Sequence, residues 1–374
     1  MAAALLEEFG SADVREREES WRYSKTALRA LAQNDFLAAD GRALPSSNLL
    51  ESIDWPHTRG RRLVFVNGVH SHAHSDFTAA DGIAFERGAE ANALNIAGND
   101  QVVHLIYVSV PGAQPVRWDA QLNIRVAAPG ARIIEQHTGD VGADVLGSLR
   151  VNLEIAERAE ARVTMLTDLP DSTSLYRREQ VGVAQDGLHA STHALFGGRL
   201  QRHDGNIALR GPRSRHAARG VFVVRGRQHI DVHLDVCHEA RDTACDVVWR
   251  GVADQRARGI LRGAITVATG ADGADARLQT KNLLLSAHAE IDAQPVLEIY
   301  ADEVKASHGA TVGQLDERAL FYLRSRGVPA AVARGLLIAG FCREALADGS
   351  DEDLRARLEA ALDERLPRID GVSP

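Results

Sequence analysis

From about residue 120 to residue 304 the sequence is a succession of short strand-like runs, and this feature limits the possible folds more than any other. Runs such as LNIRVAA, SLRVNLEIA and PVLEIYADEV alternate polar with apolar residues or are rich in β-branched residues. Gly, Asp, Asn or Pro marks most of the joints between them. Because no long helical pattern intervenes, a doubly wound α/β fold is excluded. A sandwich, a barrel and a β-solenoid remain, and no strict sequence repeat singles out the solenoid.

The two ends of the chain have a different, helical character. Near the N-terminus, REREESWRYSKTALRALAQNDFLAADG is charged and amphipathic, and its predicted buried positions are Trp21, Leu28, Leu31 and Phe36. A second possible helix, GIAFERGAEANALNIAG, precedes the strand-like run VVHLIYVSV. We therefore predict a helical N-terminal region at 1–90, a β core at 91–308 and a helical C-terminal domain at 309–374.

The C-terminal domain is predicted to contain three helices. Asp316 is a natural N-cap for the first, with Leu315 and Leu320 placed as a hydrophobic staple, and Gly327 followed by a proline ends it. In the last helix four leucines recur at four-residue spacing and predict one apolar face: Leu354, Leu358, Leu362 and Leu366. A helical tail this small buries little by itself, so it should pack on the β core or on a partner.

Charge and cysteine content exclude several classes of protein. The net charge of −8 and pI near 6.0 argue against nucleic acid as the main partner. The N-terminal MAAALLEEFG has no early Lys or Arg and does not resemble a secretory signal, and the most apolar run near the C-terminus is too short to span a bilayer. Three cysteines without a C-x-x-C pair make neither a disulfide framework nor a metal knuckle. We expect a cytoplasmic protein without a membrane partner.

Histidines and cysteines give two weak hints of a metal site. His70, His72 and His74 alternate, so one strand face could present all three to a divalent metal, although a solvated loop is the favoured interpretation because only one carboxylate lies nearby. In HIDVHLDVCHEARDTACD the apolar set should face the core and Cys237 should point outward, and its spacing to Cys245 does not match zinc sites. Cys342 is expected to be a small buried apolar residue.

One continuous stretch, Lys281 to Gly327, resembles a known family. KNLLLS, P-x-LEIYAD-x-VK, SHGATVGQLDE and LFYLRSRG are closely similar to the C-terminal part of the SufD branch of the SufB/SufD family, whose members are subunits of the SUF iron–sulfur cluster assembly scaffold. Weaker resemblance extends back to about residue 200 through RHDGNIALRG and WRGVADQRARG. The stretch also holds two of the three lysines in the chain, Lys281 and Lys305.

The resemblance implies a mainly β fold: a right-handed parallel β-helix core with helical N-terminal and C-terminal parts. It implies a non-catalytic scaffold subunit of the SufBCD complex, which pairs with SufB as a heterodimer and docks the ATPase SufC. A homodimer is the alternative assembly for the isolated chain. No stably bound cofactor is implied, only a transient nascent Fe–S cluster at the interface with SufB. The chain has no G-x-x-x-x-G-K-[ST] loop, so ATP hydrolysis would belong to SufC.

The same resemblance singles out site residues. His308 is the candidate metal-binding residue for transient cluster assembly, since imidazole can ligate iron. From the residues alone, a histidine that satisfies backbone groups in a tight connector is the favoured interpretation, and the family resemblance reverses that preference. Ala306 stands where many relatives have a cysteine, so sulfur ligands would have to come from the partner subunit. Four residues are candidates for SufC docking: Tyr322, Arg324, Arg326 and Gly327.

Two other functions stay open on sequence grounds. One is a divalent-metal-binding protein that uses the His70, His72 and His74 cluster. The other is a β-helix polysaccharide-active enzyme, which would need paired carboxylates on a groove-lining face. No such pair stands out in the sequence.

Overall fold

The computed structural model describes residues 21–53, 58, 60–80, 82–346 and 352–366. In chain order the helices are α1 (Lys25–Leu31), α2 (Ser47–Ser52), α3 (Glu317–Ser325), α4 (Ala330–Leu346) and α5 (Glu352–Arg365). The strands are β1 (Leu37–Ala38), β2 (Arg61–Val66), β3 (Val69–His70), β4 (Asp76–Phe77), β5 (Ile83–Glu86), β6 (Asn92–Ile96), β7 (Val102–Ser109), β8 (Val116–Val126), β9 (Ala131–Gly139), β10 (Val145–Ile155), β11 (Glu160–Leu169), β12 (Thr173–Val183), β13 (Leu188–Gly197), β14 (Leu200–Leu209), β15 (Arg215–Val224), β16 (His229–His238), β17 (Ala244–Ala253), β18 (Arg258–Val267), β19 (Asp275–Leu284), β20 (Glu290–Ile299) and β21 (Lys305–Gly313).

From β7 onward the strands alternate between two sheets, and each strand pairs in parallel with the strand two places later in the chain. One sheet has the order β20-β18-β16-β14-β12-β10-β8-β6-β5, and the other has the order β21-β19-β17-β15-β13-β11-β9-β7-β2-β3. The chain therefore winds into a parallel β-solenoid of about eight turns. This confirms the mainly β, β-helix prediction.

The solenoid repeats in backbone conformation rather than in sequence. At one corner, successive turns place a residue with positive φ at equivalent positions: Asp100, Gly130, Arg158, Asp186, Arg213, Asp242 and Gly273. There the backbone N–H of Arg158 donates to the carbonyl of Gln185, and that of Asp186 to the carbonyl of Pro212, so each corner bonds to the next turn. A left-handed conformation costs a non-glycine residue about 1–2 kcal/mol, which these hydrogen bonds offset. Because residue type varies at the corner, the sequence shows no repeat.

The main apolar core fills the interior of the solenoid, called the lumen below, and helices cover parts of both outer faces. α1 packs over Leu146, Tyr176 and Leu200 of the first sheet. α2 lies against Val64 and Ile106 of the second sheet. α4 and α5 pack on the outward-facing apolar residues of β9 to β17, among them Phe196, Val221 and Val252.

Several local predictions are confirmed. The Asp316 carboxylate accepts a hydrogen bond from the Arg318 backbone N–H at 2.8 Å, and Gly327 has φ +86° at the C-terminus of α3. The four leucines of the last helix are buried against the β core, as are the N-terminal Trp21, Leu28 and Leu31. Cys342 is fully buried, and burial raises the pKa of its thiol to about 12.

The helix predicted for GIAFERGAEANALNIAG is wrong. This segment forms an antiparallel pair of β5 and β6, with Ile83 opposite Ile96. The apolar residues at 83 and 85 and at 94 and 96 follow strand alternation, which the intervening small residues masked. Residues 1–20 of the predicted N-terminal region are outside the described ranges, and its described part contains β1 to β5 as well as α1 and α2. None of the described helices is long and apolar enough to span a membrane.

Candidate functional site at the open end of the solenoid

The last turn of the solenoid consists of β20 and β21, and each of these strands has a hydrogen-bonded neighbour on one side only. β20 pairs with β18, and β21 pairs with β19. Among the described residues, no other strand covers their free edges. Every residue of β21 is exposed apart from the half-buried Gly309. A free edge of this kind presents unpaired N–H and C=O groups that can pair with another chain.

His308 lies on the lumen-facing side of this edge strand. It stands opposite Leu278 of β19, which in turn stands opposite Val247 of β17, and both of these side chains are buried in the core. Residues opposite one another in parallel strands share a sheet face, so His308 continues a core row. The side chain is exposed because no described turn covers it.

Other core-facing residues of the last turn are exposed for the same reason. Val312 of β21 is 44% exposed and Ile299 of β20 is 41% exposed. Their counterparts one turn earlier, Asn282 and Val267, are buried. Ala306 is exposed as well, and it contributes no thiol. The lumen is therefore open at this end among the residues that the structure describes.

The imidazole of His308 does not form a metal site with the other described residues of the chain. Across the described part of the chain, no group of three His, Cys, Asp or Glu side chains is arranged to hold a metal ion. Stable iron binding generally uses several ligands, so His308 would need ligands from another chain. The open end is where another chain could bring them.

The four residues predicted for docking lie in the C-terminal half of α3 and directly after it, and α3 follows the edge strand β21 after a three-residue connector. Leu320 is the only buried residue of that helix and Leu323 is half-buried, while its other large side chains are exposed. Tyr322 and Arg326 are exposed, and the Arg326 guanidinium lies 5.3 Å from the centre of the Tyr322 ring. Arg324 is exposed, and Gly327 ends the helix. Sequence reasoning missed Phe321, which is 73% exposed beside Tyr322.

Sequence reasoning also missed a charged cluster that is buried in the lumen. Glu135 of β9 accepts two hydrogen bonds from Arg177 of β12, at 2.6 and 2.7 Å, and its Oε1 lies 2.6 Å from His137 Nε2. Arg177 also donates to Glu179 at 3.2 Å. Burial alone would raise the pKa of Glu135, but the positive charge of Arg177 and the hydrogen bonds from His137 and Arg177 hold it well below its usual range. The cluster ties neighbouring turns together across the lumen.

Further along the lumen lie histidines that are held neutral. Burial lowers the pKa of His238 to about 4, and its ring nitrogens lie 2.8 Å from Thr243 Oγ1 and 3.3 Å from Cys245 Sγ. Burial likewise raises the pKa of the Cys245 thiol to about 12, so this pair is an imidazole and a thiol rather than an ion pair. His189 stacks on His216 with ring centres 4.9 Å apart. The alternation HASTH in β13 was the available signal, because every second residue of a strand faces the same way.

The structure agrees with the loop interpretation favoured for His70, His72 and His74, and the alternative of three rings on one strand face is not formed. β3 ends at His70 and the next residues form a turn, because Ser75 N–H donates back to the Ser71 carbonyl at 3.0 Å. His70 Nε2 lies 3.0 Å from Ser75 Oγ, and His74 Nδ1 lies 2.8 Å from Ser71 Oγ. Serine hydroxyls therefore engage two of the three rings, and the geometric basis of the metal-binding alternative is lost.

The outward orientation predicted for Cys237 is confirmed, because the apolar residues of β16 face the core, but part of its outer face is covered. Asp231 is buried beneath the chain around α1, where it accepts a hydrogen bond from Ser24 Oγ at 2.5 Å and one from Arg202 at 2.7 Å. Cys237 remains half-buried on the open part of this face.

Comparisons with known proteins agree with the fold. The family model described as "SUF system FeS cluster assembly, SufBD core domain" matches residues 123–341, a range that contains both the lumen cluster and the open end. The chain is 27% identical over 387 residues to the iron–sulfur cluster assembly protein SufD of Escherichia coli (strain K12), which covers 94% of this chain and 89% of that protein.

Two more relatives extend the comparison. An iron–sulfur cluster assembly SufBD family protein of Mycobacterium tuberculosis (strain ATCC 25618 / H37Rv) is 28% identical over 364 residues, covering 94% of this chain and 88% of that protein. The iron–sulfur cluster assembly protein SufD of Bacillus subtilis (strain 168) is 32% identical over 146 residues, covering 39% of this chain and 33% of that protein.

Proposed function

The chain belongs to the SufBD family of SUF iron–sulfur cluster assembly proteins, and we propose that it is the SufD-type, non-catalytic scaffold subunit of a cytoplasmic SufBCD complex. The observation that supports this role most directly is the uncapped last turn of the solenoid. A free-standing solenoid needs a cap at each end, and its absence among the described residues suits a subunit whose end is completed by a partner.

The partner at this end is SufB. The free edges of β20 and β21 supply backbone groups for strand pairing, and the exposed Ile299 and Val312 supply apolar area. A partner that continues both sheets would bury the core-facing row of β21 beneath its own first turn. A second copy of this chain would use the same surface, so a homodimer of the isolated chain would compete with SufB.

His308 would then face the junction of the two solenoids. The nascent Fe–S cluster is cargo there, held transiently, and His308 supplies one imidazole ligand or a proton acceptor. Because Ala306 has no sulfur, thiolate ligands come from SufB. This arrangement explains why the described residues of one chain hold no complete metal-binding group.

SufC docks on α3 through Tyr322, Arg324, Arg326 and Gly327. Exposed tyrosine and arginine side chains are the types that contribute most to binding energy at protein interfaces. ATP hydrolysis remains in SufC, since no lysine of this chain comes directly after a glycine as a phosphate-binding loop requires.

Co-purification tests this assignment. The tagged full-length chain is expressed with the SufB and SufC of its organism, and a complex of all three proteins is expected. The double variant Tyr322→Ala, Arg326→Ala should lose SufC and keep SufB, whereas Arg150→Ala, an exposed arginine of the mid-solenoid strand β10, should keep both. Point variants are preferable to removing residues 311–374, because α4 and α5 cover apolar residues of the β core. Recovery of the tagged chain with neither partner would refute the proposal.

A further inference from the structure

Two consecutive residues of β19, Lys281 and Asn282, connect the C-terminal helices to the edge strand that carries His308. Successive side chains of a strand point to opposite faces of the sheet. Lys281 points outward beneath α4, and Asn282 points inward, toward β21. β19 is also the only strand paired with β21 among the described residues. The two residues therefore lie between the helices and the candidate site.

On the outer face, Glu344 of α4 is the contact point. Its carboxylate lies 3.0 Å from Arg250 Nη2 and 3.2 Å from Arg250 Nε, while Lys281 Nζ approaches to 4.0 Å. Arg250 of β17 stands directly opposite Lys281, and its side chain is only 1% exposed. Its guanidinium also lies 5.7 Å from the ring centre of Phe341 on α4. Among the described residues, Glu344 is the only carboxylate partner of this buried guanidinium, and the pair ties α4 to these two strands.

On the inner face, Asn282 holds the edge strand. Its Nδ2 donates to the backbone carbonyl of Thr311 at 3.0 Å and to Thr280 Oγ1 at 3.1 Å, and the residue is 2% exposed. Gly251 stands opposite Asn282, and a Cβ at that position would collide with the Asn282 side-chain oxygen. Thr311 is three residues from His308 on the same strand.

We propose that Arg250, Lys281 and Asn282 form a mechanical link that sets the position of β21, and with it His308, according to the position of α4. The inference deepens the proposed function: docking on α3, which packs against α4, would supply the displacement, and the link would deliver it to the candidate cluster site. Arg250, Lys281 and Asn282 are positioning residues, because they act through β21. The connector from β21 to α3, residues 314–316, is a second possible route, and it bypasses Glu344.

Hydrogen exchange on the isolated full-length chain tests the link without any partner. Asn282→Ala should raise the exchange rates of the β21 amides about fivefold, the effect of losing one hydrogen bond. Glu344→Gln, which touches no residue of β21, should raise the same rates about twofold to threefold because a salt bridge that is half exposed contributes modestly. The matched controls are Asn152→Ala, whose amide donates to Asn123 on the outer face, and Glu359→Gln on α5. Neither control should alter β21.

The double variant decides between a link and two independent supports. In a link the effects of Asn282→Ala and Glu344→Gln on β21 exchange are non-additive, whereas independent structural roles multiply. Exchange in β14, which contains none of the substituted residues, should match the wild type in every variant, which verifies the fold. Unchanged β21 exchange in Glu344→Gln, or strictly multiplicative effects, would overturn the proposal. Hydrogen exchange is measured on the isolated chain, so its result does not depend on whether the chain binds SufB or SufC. The two proposals can therefore fail separately.

Discussion

The middle turns of the solenoid and its last turn are built on the same rows of residues but in opposite environments. In the middle, the charged side chains of Glu135, Arg177 and Glu179 face the lumen and are fully enclosed. In the last turn, His308 and Val312 face the same way and are exposed. The difference is whether a further turn covers the residues. Each middle turn is covered by the next turn of the chain, whereas no turn among the described residues covers the last one.

The comparison separates turns whose buried groups are satisfied within the chain from a turn whose core-facing groups are not. Buried charges are tolerated only when they are paired and hydrogen-bonded, and the middle turns meet that requirement internally. The last turn leaves apolar and imidazole groups that another chain can bury. Changes in the middle should therefore affect stability, and changes at the end should affect assembly.

Removing Arg177 should produce the largest loss of stability. In Arg177→Met, Glu135 and Glu179 stay buried without their cation, and we expect the free energy of unfolding to fall by about 3–5 kcal/mol in urea titrations. Arg277→Met, which breaks an exposed pair with Asp275 near the open end, should leave the free energy of unfolding nearly unchanged, because water screens an exposed ion pair. Equal losses in the two variants would erase the contrast between the regions.

Acid should destabilise the middle through its neutral histidines. The pKa of His238 is depressed to about 4, whereas an unfolded histidine titrates near 6.5. Between these values the unfolded chain binds the extra proton, so stability is full above pH 6.5 and is lost as the pH falls toward 4. His238→Leu should reduce the loss between pH 7 and pH 5 by about 2 kcal/mol, measured by urea unfolding at both pH values. An unchanged pH dependence would show that the His238 ring is not held neutral.

At the open end of the solenoid, replacing His308 should leave the stability of the chain unchanged. His308→Ala removes an exposed side chain, so the free energy of unfolding should change by less than about 0.5 kcal/mol. The same variant should abolish iron retention by the purified three-protein complex, which can be measured by elemental analysis. Full iron retention would remove His308 from the candidate site while leaving the scaffold assignment intact.

The features that could be predicted from sequence are those set by local residues. The Asp316 cap, the Gly327 stop and the leucine face of α5 depend on neighbours within a few positions, and all are present. The solenoid itself could not be derived from repeats, because its corners share a φ value and not a residue type. Resemblance to a family supplied that step.

The inward orientation of polar residues in the lumen could not be predicted from sequence, for a physical reason. In β13 the polar His189 and Ser191 face inward, while Ala194 and Phe196 face outward beneath the C-terminal helices. Alternation alone assigns the apolar residues of a strand to the core, so for β13 it predicts the wrong facing of every residue. In β16 the same rule is correct, because Ile230 and Val232 do face the lumen. The packing of helices on an outer sheet face is tertiary structure, and the alternation within a single strand does not predict it.

The central claim, that the open end is a surface completed by SufB, is tested most directly by Ala310→Lys. Ala310 is exposed in the core-facing row of β21, so the lysine is harmless in the isolated chain but would be buried without a counter-charge beneath a partner's turn. We predict that the affinity for SufB, measured by titration, falls more than about tenfold, while SufC binding is unchanged. The control Asn206→Lys, on the outer face, should bind SufB as the wild type does. Wild-type affinity of Ala310→Lys for SufB would contradict the account.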